Sequence, residues 1–113
     1  MADILGAFEQ AVLLAIVRLG ADAYGRAILK EVQERLDRDV AAGAVHATLE
    51  RLQAKGLIAS RLGSGTPIRS GRARRFYRLQ PAGVRALNDA RRAVDTLWHG
   101  LEWPLKGMLK GRV

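Results

Sequence analysis

"RSGRARRFYR", Arg69 to Arg78, is the stretch on which the fold turns: five of its ten residues are arginine, none is acidic, and two aromatics stand near its end. Like charges packed this closely repel one another, so the run is either screened by solvent or set to meet a polyanion. Side chains alternate along an extended chain, which places Tyr77 and Leu79 on one face, suited to a core. "ARRFYRL", Ala73 to Leu79, is therefore expected to be a strand. The short, partly β-branched "LIAS", Leu57 to Ser60, is its expected partner. Between them "RLGSGTPIRSGR" carries three glycines and a proline and predicts a long hairpin loop.

The period upstream is helical. Leu5, Phe8, Val12, Ile16 and Leu19 predict a first helix from Leu5 to Leu19, with Leu13 and Val17 widening its apolar stripe and Gly20 as its stop. Asp22 is the expected N-cap of a second helix, Ala23 to about Leu36, with Ile28, Leu29, Val32 and Leu36 on its apolar face. A third runs from about Ala42 to Lys55 on the stripe Val45, Leu49 and Leu52, and stops at Gly56. After the hairpin, Gln80 and Pro81 open a fourth helix carrying apolar residues as far as Leu101, which Pro104 ends or kinks. Three helices followed by a hairpin is the layout of a winged helix-turn-helix, mainly α with a small β-hairpin. The expected division is residues 1–80 as the DNA-binding domain and 81–113 as a C-terminal dimerisation helix.

Charge is distributed unevenly. Residues 1–59 carry seven basic and eight acidic side chains; residues 60–113 carry twelve basic and three acidic, within a net charge of +8. A basic region joined to a balanced one suits a polyanionic partner, most commonly nucleic acid. There is no cysteine, so disulfides and cysteine-based metal sites are excluded, and a cytoplasmic location is expected. With only two histidines, His46 and His99, no metal and no cofactor are expected. The longest apolar run, Ala11 to Val17, is too short to span a membrane. No glycine loop opening a helix, and no constellation of nucleophile, base and acid, suggests an enzyme.

Three segments, "FEQAVLLAIVRLGADAYGRAI", "GAVHATLERLQAKGLIAS" and "RSGRARRFYRLQPAGVRAL", together resemble the PadR family of bacterial transcriptional regulators across most of residues 8–87. The resemblance implies a winged-helix DNA-binding domain, a C-terminal helix that pairs two subunits, and repressor-type function often responsive to small aromatic or drug-like molecules. The single helix after Leu79 is similar to the compact branch of that family. The family usually has tyrosine where this chain has His46.

The expected DNA contacts fall in three groups. Gly43 lets the start of the third helix approach DNA, His46 and Ala47 point at the groove, and Arg51 lies a turn further on. Tyr24 opens the second helix, either beside the DNA backbone or packed between helices. Arg69, Arg72, Arg74 and Arg75 supply phosphate contacts from the hairpin, since a guanidinium fork holds two oxygens and keeps its proton. The expected homodimer interface uses Leu5, Phe8, Leu87, Val94, Leu97, Trp98 and Leu101, whose apolar area exceeds what one small domain covers. Trp98 is also a candidate wall for a small aromatic effector. Other uses of the basic half stay open at this level: a solubilising hairpin, a single-strand binder stacking bases on Phe76 and Tyr77, a winged-helix RNA-binding or ribosome-associated protein, or a membrane-surface segment at "LWHGLEWPLKGMLKGRV".

Overall fold

A computed structural model describes residues 4–63 and 74–107 of the chain. The elements run α1 (Ala7–Leu19), a 3-10 turn (Gly20–Asp22), α2 (Gly25–Leu36), α3 (Ala42–Ala54), β1 (Ile58–Leu62), β2 (Arg75–Leu79) and α4 (Pro81–Trp98). This is the mainly helical winged fold with one antiparallel hairpin, and its fourth helix follows the hairpin as expected.

Helix α1 lies at the centre and buries Val12, Leu13, Ala15 and Ile16 against α2, α3 and β2. Its start is fixed by Glu9, whose Oε1 accepts the Gly6 N–H at 3.1 Å while Oε2 accepts the Lys55 ammonium at 3.1 Å. That pair ties the start of α1 to the end of α3. Burial pushes the Glu9 carboxyl upward, but the Gly6 hydrogen bond, Lys55 and then Arg51 outweigh it and leave the group below its ordinary value of 4.5. Val17, expected on the buried stripe, is 52% exposed, at the margin of a buried face centred on Val12 and Ile16. Leu5, expected at a subunit contact, is packed into the core of its own chain instead.

Helix α2 begins two residues later than Asp22 would have started it. The backbone of Ala23 and Tyr24 is taken by the sheet: the Tyr77 N–H donates to the Ala23 carbonyl at 2.8 Å, and Tyr24 pairs antiparallel with Phe76. Tyr24 is thus both an edge partner of β2 and the N-cap of α2. Helix α3 stops as expected at Gly56, which adopts φ +78°, with the Leu57 N–H returning to the Leu52 carbonyl and the Gly56 N–H to Gln53. Strand β1 pairs Ile58 with Leu79, Ser60 with Tyr77 and Leu62 with Arg75, so it extends two residues past Ser60.

Helix α4 starts at Pro81 against this hairpin. Gly83 faces the Leu57 carbonyl so closely that an added Cβ would collide with that oxygen and lie 2.6 Å from Leu79 Cδ2. The helix ends at Trp98, earlier than Leu101, because Gly100 turns the chain at φ +83° before Pro104 is reached. Its first half packs on the core through Ala86, Leu87 and Ala90. Its second half leaves the body of a molecule 59 Å long and 20 Å thin.

Two outcomes follow from these contacts. Gly83→Ala should lower stability by about 1–3 kcal/mol through overpacking, despite alanine's better helix propensity; a thermal melt at or above wild type would contradict the close approach. A carboxyl held low stabilises the fold above its unfolded pKa and loses that contribution as pH falls through the folded value. Wild type should therefore lose melting temperature between neutral pH and pH below about 4 more steeply than Glu9→Gln does, and parallel curves would show that Glu9 adds nothing.

Candidate nucleic-acid interface

The register of the hairpin sorts its side chains. Arg74, Phe76 and Arg78 share one face of β2; Arg75, Tyr77 and Leu79 share the other. On the first face Tyr24 meets Phe76 edge-on, with centroids 5.7 Å apart and planes at 68°. The Arg74 guanidinium caps the Tyr24 ring at 4.3 Å, and that of Arg61 caps Phe76 at 5.1 Å. Two cations thus bracket two aromatic rings, each held against the negative face of a ring. The aromatic end of the arginine run therefore anchors and partly neutralises its base.

On the second face Tyr77 is buried, and burial raises its phenol pKa, with Arg75 opposing and Glu50 adding to the shift. Arg75 extends past it toward α3. Its Nη1 donates to Ser60 Oγ at 3.0 Å, and Ser60 donates in turn to Gln53 Oε1 at 3.0 Å, linking β2, β1 and α3. A cleft between α3 and β2 is lined by His46, Glu50, Gln53, Ala54, Arg75 and Tyr77. It continues as a hollow of about 460 Å³ toward α2, where Arg26 and Lys30 stand over Leu29, Val45 and Tyr77.

Gly43, His46 and Ala47 are exposed on the outer side of α3. An added Cβ on Gly43 would meet no atom of its own chain within 4 Å, so nothing inside the fold demands glycine there. His46 Nε2 lies 3.5 Å from Glu50 Oε2, one turn along the helix. Arg51, one turn beyond Ala47, donates its Nη2 to Thr48 Oγ1 at 3.2 Å, with its charge felt by Glu9. Tyr24, Arg74 and Arg75 are brought to the same end of the molecule as His46 and border one hollow with it. Arg69 and Arg72 lie outside the described residues.

Sequence reasoning misses Arg26 and Lys30, although their four-residue spacing just after "DAYG" is a signal that one helix face carries two cations beside the third helix. Among the described residues no cluster of His, Cys, Asp or Glu is set to hold a metal, and no helix is long and apolar enough to cross a membrane.

An exposed helix beside an arginine-bearing hairpin, both mounted on one three-helix core, defines a winged-helix DNA-binding protein. The chain belongs to the PadR-like family of transcriptional regulators, whose profile matches residues 13–89. It is 39% identical over 89 residues to the transcriptional regulator Rv3488 of Mycobacterium tuberculosis, covering 77% of this chain and 78% of that one. Its fold matches a PadR family regulator of Eggerthella lenta with a TM-score of 0.62 at 27% identity, over 79% of this chain and 75% of the other. It also matches the fold of BpsR of Bordetella bronchiseptica, a structure describing regulation of DNA binding by 6-hydroxynicotinic acid, with a TM-score of 0.62 at 20% identity, over 97% and 78% of the two chains. The family and the relative from Mycobacterium tuberculosis are both transcriptional regulators.

Gly43→Leu should leave the melting temperature within about 2 °C of wild type, since the position is open, while duplex affinity falls at least tenfold. Unchanged affinity in a gel-shift titration would place the start of α3 away from the nucleic acid.

Proposed function

We infer that this regulator works as a homodimeric repressor on a palindromic operator, with α3 in the major groove and the hairpin against the flanking backbone. The observation that carries this is the shared placement of α3's exposed side, Arg75 of β2, and Arg26 and Lys30 of α2 around one cleft. Phosphates supply most of the affinity of such a surface, and base edges in the major groove supply the selectivity. Arg69 and Arg72 add two more cations for phosphate from the segment of sequence that joins the strands. Occupying an operator with two such units blocks access to the promoter, which is repression.

The dimer is supported by the free half of α4 and the residues just beyond it. On the helix Val94 is exposed, Leu97 is 75% exposed and Trp98 is half-covered; past its end Leu101 and Trp103 are exposed. This much apolar surface in a row is what a two-fold contact buries. Two-fold pairing through α4 would set the two recognition helices roughly 34–36 Å apart, one turn of duplex. Phe8 and Leu87 are partly covered, packed against the core of their own chain. Trp98 then stands where two subunits meet and offers a flat ring for a small aromatic effector.

The test joins sizing to binding. Leu97→Asp should keep the fold and convert the dimer to monomers, with operator affinity lowered by at least tenfold. Arg26→Ala should instead keep the dimer and lower the slope of log affinity against log salt by about 0.9 for each phosphate the arginine neutralises, doubled for two subunits. A Leu97→Asp dimer that still binds would place the subunit contact elsewhere, and a wild-type chain preferring structured RNA to duplex DNA would overturn the function.

A further inference from the structure

The outer ridge of α3 is built from Gly43, Ala47, Glu50 and Ala54, all exposed and spaced three or four residues apart. Three of the four are too small to carry a polar group. Glu50 is the one carboxylate of α3, and its side chain is 71% exposed. The one arginine of α3, Arg51, is drawn to the Thr48 hydroxyl. A protein of net charge +8 therefore presents a carboxylate from the element that faces the base edges, which nonspecific attraction to phosphate disfavours.

An ionised carboxylate only accepts hydrogen bonds. In the major groove the acceptor atoms of guanine and the thymine oxygen repel it; adenine pairs its N6 donor with the N7 acceptor of the same edge, whereas cytosine offers its N4 amino donor with no acceptor beside it. We propose that Glu50 is a specificity-determining residue that selects a cytosine in each operator half-site by accepting a hydrogen bond from its N4 amino group. His46 positions it: Nε2 stands 3.5 Å from Oε2, which leaves Oε1 free at the tip of the side chain. The neighbouring methyl groups of Ala47 and Ala54 leave the approach to the bases unobstructed. Cations that hold the backbone come from α2 and the hairpin, so α3 is free to carry a charge that discriminates. This rests on α3 entering the major groove, as inferred above.

The test uses the full-length dimer and selection from a random duplex pool. Wild type should select one cytosine per half-site, and replacing it by uracil paired with adenine should cost about tenfold or more. Glu50→Ala should bind cytosine and uracil equally at that position, keep every other preference, and bind random duplex more tightly. Glu50→Gln, whose amide also donates, should accept the uracil oxygen. Both substitutions sit on an exposed position, and matching melting curves confirm that the fold is intact. A Glu50→Ala protein that selects the same cytosine overturns the proposal. Interference by guanine N7 methylation separates the two levels: if methylated half-sites bind wild type undiminished, α3 is not in the major groove and the underlying placement fails, whereas interference with an unchanged Glu50→Ala consensus sinks the Glu50 contact alone.

Discussion

The edge-on contact of Tyr24 with Phe76, together with the Tyr77 N–H donated to Ala23, holds the hairpin to the helical core. A hairpin of five-residue strands is marginal alone in water. Here β2 is paired on both edges, by β1 and by the residue that opens α2. The hairpin cannot tilt without moving α2, and α2 packs directly on α3. The spacing between the arginine-bearing strand and the recognition helix is therefore a property of the core.

Alternation along β2 then divides the cations. Arg74 sits against an aromatic ring on the outer face, while Arg75 reaches past buried Tyr77 to the α3 side. The repulsion in the arginine run is lowered where the chain is structured, because Arg74 is held on the Tyr24 ring and Arg75 on the Ser60 hydroxyl, while Phe76 receives the charge of Arg61. What stays exposed toward the cleft is a field from several elements, Arg26 and Lys30 of α2 and Arg75 of β2, with the acidic Glu50 inside it. The cations thus come from α2 and β2, and the carboxylate from α3.

Much of this is legible in the residues. Four helices and two strands follow from apolar spacing and from glycine and proline stops, and the family follows from three segments spread across the helices and the hairpin. The departures have physical causes. Tyr24 is a single extended residue, too little to show a period, so its bridge to β2 is hidden and Asp22 reads as the cap. Arg61 and Leu62 lengthen β1 although neither is buried, since backbone pairing leaves no mark on composition. Gly100 outranks Pro104 as the end of α4 because it comes first and takes a left-handed turn. Val17 is apolar yet exposed, and Leu5 is apolar and buried in its own chain; hydrophobicity alone does not tell a core face from a free one. Arg51 is exposed on α3, but its guanidinium is drawn to the Thr48 hydroxyl, a contact that sequence position does not reveal.

The central claim is that hairpin and recognition helix form one rigid unit through the Ala23–Tyr77 connection. Amide hydrogen exchange at Tyr77 in the free protein tests it most directly. That amide should exchange as slowly as those of Leu13 and Leu52, through global unfolding. Exchange of Tyr77 orders of magnitude faster, with the α1 and α3 amides still protected, would mean that the hairpin opens by itself and that the geometry of the interface is not built into the fold.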